Sequence, residues 1–209
     1  MSLTDALLER TSVYRLWQAP FADQKFAPVL AQNNLQQVRR VLDVACGPGT
    51  NTRYFERCDY LGIDLNPRYI EHAKARYRRQ FLVADACQYR VPPSERFDFI
   101  LVNSFLHHLP DSDVADILSH LATLLTSDGH IHLLELVMPP NASPARWLAR
   151  HDRGKHARPL HEWEQIFAAI FHPVVAQPYP LTGFGVTLWN MFYFKGKIRQ
   201  AKPSSTGMM

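Results

Sequence analysis

From residue 39 onward, apolar runs of strand length alternate with segments whose apolar positions recur at helical spacing. Residues 41–45, 60–63, 81–84, 97–102 and 131–137 are short, nearly continuous apolar runs, as expected of strands buried on both faces. Asn66-Pro67 opens a helix, with a capping side chain followed by proline at the first helical position. Asp111 opens another, in which Val114, Ile117, Leu118, Leu121, Leu124 and Leu125 share one face, and Gly129 is expected to end it in a left-handed conformation. Before this region, residues 4–18 and 25–37 read as helices separated at Pro20. After residue 140 a helix is expected at 160–171. Two longer extended runs follow, at 174–181 and 186–194, with loops around Pro180 and Gly183-Phe184-Gly185 that pair them as a hairpin at one end of the sheet.

Strands alternating with helices predict an α/β fold: a Rossmann-like, mostly parallel sheet with helices on both faces. No internal repeat and no long linker divides the chain. The expected organisation is an N-terminal helical lid over 1–38, one domain over 39–200, and a flexible tail over 201–209. At 209 residues, with 46% hydrophobic and 20% charged positions, the chain can bury a core without staples. No apolar stretch approaches the roughly 18 residues of a membrane span, and residues 1–10 lack the pattern of a signal peptide. Cys46, Cys58 and Cys87 lack C-x-x-C spacing and an even count, which argues against a disulfide framework or zinc site and for a reducing cytoplasm. The net charge of +4 permits anionic substrates without demanding them. The basic groups at 76–79, 146–158 and 195–202 read first as solvated faces and a tail.

Chemistry concentrates at the carboxyl ends of the predicted strands, where open parallel sheets bind ligands. The first strand runs into Asp43-Val-Ala-Cys-Gly47-Pro-Gly49-Thr50, whose glycines let the backbone turn tightly and approach a ligand. A dinucleotide fingerprint would need a third glycine where Thr52 stands, and Asp43 would repel a pyrophosphate. A carboxylate there suits a ligand carrying an ammonium and a sulfonium. Asp64 ends the second strand, where an acid can accept hydrogen bonds from both ribose hydroxyls, and Asp85-Ala86 follows the third, placed for an adenine amine. Three acids at successive strand ends, all expected to face one crevice, describe a cationic adenosine ligand.

These segments carry a resemblance. Val41-Leu-Asp-Val-Ala-Cys-Gly-Pro-Gly-Thr50, Tyr60-Leu-Gly-Ile-Asp64, Val83-Ala-Asp-Ala86 and Phe97-Asp-Phe-Ile-Leu-Val-Asn103, with Leu106-His-His-Leu-Pro110, resemble the ordered motifs of class I S-adenosylmethionine-dependent methyltransferases. The similarity is to the small single-domain branch that methylates metabolites, and it covers residues 39–138. It implies a seven-stranded sheet with an antiparallel terminal strand. It also implies S-adenosylmethionine as cofactor, S-adenosylhomocysteine as product, and cofactor contacts at Asp43, Ala45, Gly47, Gly49, Asn51, Asp64, Leu65, Asp85, Ala86, Asn103 and Ser104. Ala45 departs from the pattern, since many members have glycine there.

Methyl transfer is an in-line displacement that needs alignment, desolvation and sometimes a base. His107 and His108, just past the fourth strand, are the candidate bases. Acceptor contacts are expected from the N-terminal helices and from the segment after the fifth strand, with Tyr14, Trp17, His108, Arg146, Arg153 and Phe184 as candidates. No metal site is expected. The leading reading is a methyltransferase acting on a small acceptor, as a monomer or homodimer. A tRNA or rRNA methyltransferase on the same core is the principal alternative; the short chain and the Asn103-Ser-Phe-Leu106 sequence argue against nucleic acid. A fold member that binds the cofactor without transferring methyl has the same motifs. A nicotinamide oxidoreductase is disfavoured by Asp43 and Thr52.

Overall fold

The computed structural model describes residues 21–199 apart from residue 153. The helix expected at 4–18, the candidates Tyr14, Trp17 and Arg153, and the tail at 201–209 lie outside the described residues. The elements run α1 (Ala22–Gln32), β1 (Arg40–Val44), β2 (Asp59–Asp64), α2 (Pro67–Arg76), β3 (Gln80–Val83), β4 (Phe97–Asn103), α3 (Asp111–Thr123), β5 (Leu125–Val137), α4 (Pro144–His151), α5 (Leu160–Ile170), β6 (Phe171–Gly183) and β7 (Val186–Ile198). The strands form one seven-stranded sheet ordered β3-β2-β1-β4-β5-β7-β6. Strands β1 to β5 are parallel, and β7 runs antiparallel between β5 and β6.

Period-two alternation along the buried strands sorts their side chains into two apolar layers. Leu42, Val44, Ile100, Val102 and Leu133 pack with α3 and α5 through Val114, Ile117, Leu121, Trp163 and Phe167. Val41, Tyr60, Phe81, Phe99, Leu101 and Leu134 face α1 and α2 through Phe26, Val29, Ile70 and Ala73. Asn66 caps α2 by accepting from the Arg68 N–H, with Pro67 at its first position, as the dipeptide predicts.

Several elements differ from expectation. Helix α1 stops at Gln32 rather than 37, because Asn33 turns extended and its amide bonds Val29 O and Tyr193 Oη, while Asn34 caps a separate 3-10 turn over Leu35–Gln37. Helix α3 ends at Thr123, and Gly129 lies inside β5, where a Cβ would meet Phe97 O and Thr126 Oγ1 at 2.9 Å. The glycine is needed for a close strand approach, not for a left-handed cap. Pro180 is within β6 rather than a loop; β6 is the sheet edge, where a missing N–H leaves no ladder partner unsatisfied. Helix α4 was not anticipated. It is short, and Ser143 caps it by accepting from the Arg146 N–H.

Candidate active site

The strand order reverses between β1 and β4, and a cavity of about 610 Å³ opens beside their carboxyl ends, within the size range of small-molecule sites. Ala45 and Gly47 from the turn after β1 line it, with Asp64 and Leu65 after β2 and Asp85 and Ala86 after β3. Asn103, Ser104, Phe105 and His108 after β4 form another wall, and α3 adds Asp113, Asp116 and Ile117. The turn is built from left-handed residues: Ala45 at φ +53°, Gly47 at +54° and Gly49 at +80°. Alanine therefore occupies a conformation that glycine adopts more cheaply. A Cβ on Gly47 would meet no atom within 4 Å, so this backbone borders open space. Gly49 instead packs against α2, where a Cβ would approach Tyr77 and Ala73 at 3.1–3.2 Å.

Asp64 organises this wall. One carboxylate oxygen accepts from the Gly47 N–H at 2.9 Å and the other from the Asn66 N–H at 2.8 Å, joining the glycine turn to the end of β2. Asp85 accepts from the Cys87 N–H at 2.9 Å. Both carboxylates border the cavity.

Asp43 does not border it. The alternation of β1 places Asp43 on the Val41 face, fully buried beneath Tyr60, whose hydroxyl donates to it at 2.6 Å; Asn51 Nδ2 donates at 3.2 Å. Burial pushes its carboxyl up to about 7, against the pull of the Tyr60 and Asn51 hydrogen bonds, and neighbouring Asp64 adds to the rise. The expectation that all three acids face one crevice is thus corrected: two do, and the third is buried behind them against Tyr60 and Asn51. Asn51 also accepts from Asn103 Nδ2 at 3.2 Å, and Asn103 Oδ1 accepts from Ser104 Oγ at 3.2 Å. A polar chain therefore runs from Asp43 to Ser104 under the cavity. Ser104 is itself left-handed, at φ +55°.

The two histidines part company. His108 lines the cavity, with its ring 4.3 Å from that of His107. His107 is buried, with Nδ1 2.7 Å from Glu135 Oε2 and Nε2 3.1 Å from Asp152 Oδ2. Burial alone would lower its pKa, but hydrogen bonds to Asp152 and Glu135, together with their charges, raise it to about 9. At neutral pH both ring nitrogens carry protons, so His107 has no lone pair with which to act as a base. Because the folded value lies above the ordinary 6.5, the stability this imidazolium contributes is full below that pH and is lost as pH rises through about 9. An NMR titration should find His107 still protonated at pH 8; an imidazole neutral by pH 7 would contradict the assignment.

Glu135 is fully buried in β5 and also accepts from the Phe105 and Leu106 N–H groups at 3.0 and 2.8 Å. Through His107 and Asp152, whose carboxyl is held down at about 2 by the His107 hydrogen bond and charge despite burial, it ties the loop after β4 to the segment after α4. Gly154 completes the contact, since a Cβ there would sit 1.9 Å from His107 Cδ2. Gly154→Ala should therefore destabilise the protein by about 1–3 kcal/mol, as overpacking does, and expose the segment after α4 to limited proteolysis. Unchanged melting and cleavage would show that this segment is not tightly seated.

The remaining acceptor candidates lie away from the cavity lining. Arg146 donates to the carbonyls of Pro139 and Pro140, and Phe184 is fully exposed at the tip of the hairpin between β6 and β7. Arg158 is buried, donating to Asp111 at 2.5–2.7 Å and to Leu109 O at 2.8 Å, which fixes the start of α3. Sequence reasoning missed Glu135, although a charge inside an apolar strand signals a buried partner. It also missed Lys25 of α1, whose ammonium donates to Ser104 Oγ at 3.0 Å.

Residues 41–129 match the model of a family described as a methyltransferase domain. A trans-aconitate 2-methyltransferase from Methylobacterium radiotolerans is 34% identical over 139 residues, covering 62% of this chain and 51% of that protein. The enzyme of the same name from Enterobacter sp. is 28% identical over 177 residues, covering 80% of this chain and 65% of its own. The chain thus spans less than two thirds of the length of these relatives. Among solved structures, the N-methyltransferase NodS from Bradyrhizobium japonicum, in complex with S-adenosylhomocysteine, superposes with a TM-score of 0.70 at 18% identity, covering 94% of this chain and 96% of that one. A 1,6-didemethyltoxoflavin-N1-methyltransferase from Burkholderia thailandensis gives 0.70 at 20% identity, over 94% and 87%. With the glycine turn, the acidic strand ends and the sheet order, these matches identify residues 41–129 as a methyltransferase domain and support a class I S-adenosylmethionine-dependent methyltransferase.

Proposed function

We propose that the protein transfers a methyl group from S-adenosylmethionine to a carboxylate oxygen of a small organic acid. One observation carries the reading: an apolar-walled cavity with Asp64 and Asp85 on its rim, bordered by the bare backbone of Gly47, where the strand order reverses. That cavity fits a nucleoside with cationic groups. Asp64 would hold the ribose, Asp85 and Ala86 the adenine, and Gly47, Asn103 and Ser104 the methionine end, while Asp43 and Asn51 brace that end from below. S-adenosylmethionine, when bound, supplies a methyl carbon activated by its sulfonium. The chain aligns the acceptor and excludes water.

The carboxylate acceptor is supported by the relatives named for trans-aconitate. A carboxylate is already a nucleophile at neutral pH, so the His107 imidazolium need not give up its proton. His108 is left as the histidine that would serve a hydroxyl or amine acceptor. On a carboxylate acceptor, His108→Ala should leave kcat within about twofold; a loss of ~100-fold, typical of a missing general base, would point to a protonated nucleophile instead. The direct test is incubation with S-adenosylmethionine and trans-aconitate or related di- and tricarboxylates, read by mass spectrometry for a base-labile methyl ester. Methylation of bulk tRNA with none of the acids modified would refute the reading. No described helix is long and apolar enough to cross a membrane. We expect a monomer or homodimer.

A further inference from the structure

The histidine pair alone predicts no metal site, because its third member reaches it from a distant part of the chain. Asp152 comes in from the end of α4, and one nitrogen of His107, one of His108 and one Asp152 oxygen all lie within 4.8 Å of one another. The His107 ring is set for this meeting. Its Nδ1 lies 2.7 Å from Glu135 Oε2, while the other Glu135 oxygen is taken by the Phe105 and Leu106 N–H groups. Nε2 therefore points at Asp152 Oδ2, at 3.1 Å. A histidine that ligates a metal typically gives its second nitrogen to such a carboxylate. Two ligands bound to a tetrahedral ion at about 2.0–2.1 Å lie roughly 3.3 Å apart, so one edge of a coordination shell is already close to its length. His108 is exposed at the cavity, its ring 4.3 Å from that of His107. Closing the shell asks a movement of roughly 1.5 Å, in which His108 exchanges its present contacts for the ion.

Resting for its substrate on the acid-methylating reading above, we propose that His107 Nε2, His108 and Asp152 form a site for a divalent transition-metal ion of the zinc class, whose open position takes a carboxylate of the acceptor. Two imidazoles and one carboxylate suit Zn2+ and its neighbours, whereas Mg2+ and Ca2+ prefer oxygen ligands. Three protein ligands leave a tetrahedral ion one position to fill. The ion takes the place of the proton between His107 and Asp152, and the Nδ1 proton stays with Glu135. Asp152 stands at the C-terminal end of α4, whose carbonyls add partial negative charge. The cavity supplies the need for a cation. Asp64, Asp85, Asp113 and Asp116 line it, and among the described residues no lysine or arginine does. A polycarboxylate entering there is repelled unless something positive receives it. An acid group bound to the ion is a poor nucleophile, so the bound group and the methylated group must differ. That bond persists from ground state to transition state, so it lowers KM and leaves kcat unchanged.

The test titrates chelator-treated wild type with Zn2+ by calorimetry and with Co2+ by visible absorption. His108→Gln and Asp152→Asn are compared with His151→Gln and His156→Gln, two exposed histidines of the same segment. Wild type should bind one equivalent, with the strong colour of four-coordinate Co2+. Affinity should fall about tenfold or more in His108→Gln and Asp152→Asn and stay unchanged in the other two. Trans-aconitate should then bind the Zn2+-loaded protein about tenfold tighter, or more, than the metal-free protein. His108 is exposed, so its variant keeps the test open should Asp152→Asn fail to fold. No Zn2+ binding, or several weak equivalents that all four variants leave alike, would overturn the site and mark the ions as adventitious. One tight equivalent with trans-aconitate affinity unmoved would overturn the acceptor's part. Calorimetry with S-adenosylhomocysteine on the same samples keeps the two readings apart. Nucleoside binding without Zn2+ binding defeats this proposal alone, and Zn2+ binding without nucleoside binding defeats the methyltransferase reading.

Discussion

Glu135→Ala should lower the stability of the folded protein by about 3–5 kcal/mol, the cost typical of removing one partner from a buried, hydrogen-bonded charge pair. The substitution strips an acceptor from the Phe105 and Leu106 N–H groups and leaves the His107 imidazolium with Asp152 alone, in a site closed to water. In a chain of this size the melting temperature should fall by roughly 10 °C. Glu135→Gln keeps an acceptor for the two N–H groups, so it should cost less while still lowering the His107 pKa. A chemical denaturation midpoint that moves by less than the equivalent of about 1 kcal/mol in Glu135→Ala would mean that the loop after β4 is held by something else.

Asp64→Ala should weaken S-adenosylhomocysteine binding by ~10- to 100-fold, from the ~1.5–3 kcal/mol carried by hydrogen bonds to a charged group. Two effects act together. The side chain offers its carboxylate to the cavity, and the same group holds the Gly47 N–H that sets the glycine turn. Calorimetry on a folded variant reads the loss, and an unchanged dissociation constant would remove Asp64 from the site. The variant should lose far less stability than Glu135→Ala, because Asp64 lies at the cavity rim rather than in the core.

How far the sequence carried can be judged residue by residue. Strands β1, β2, β4 and the second half of β5 were legible because each is buried on both faces and therefore reads as an apolar run; the edge strand β3 reads the same way although only Phe81 of it is buried, and α2 was legible because Asn66-Pro67 is a helix start in two residues. The first part of β5 was not, since Thr126-Ser-Asp-Gly129 is polar and glycine-containing; it pairs at Leu125 with Phe97, across a register irregularity, where solvent reaches it. The glycine turn, Asp64 and Asp85 could be placed because strand ends meet at one rim whatever the packing. The orientation of Asp43 depended on the parity of β1, and counting from Val41 on the α1 face would have revealed it. The fates of His107 and Lys25 were out of reach. Their partners, Glu135, Asp152 and Ser104, arrive from distant parts of the chain, and only the folded sheet brings them together.

Crystals grown with S-adenosylhomocysteine give the most direct test of where the nucleoside sits. The ribose should lie against Asp64, the adenine beside Asp85 and Ala86, and the amino-acid end over Gly47 and toward Ser104. Density for the ligand on another face of the sheet, or within the cavity but with Asp64 touching neither ribose hydroxyl, would contradict the account.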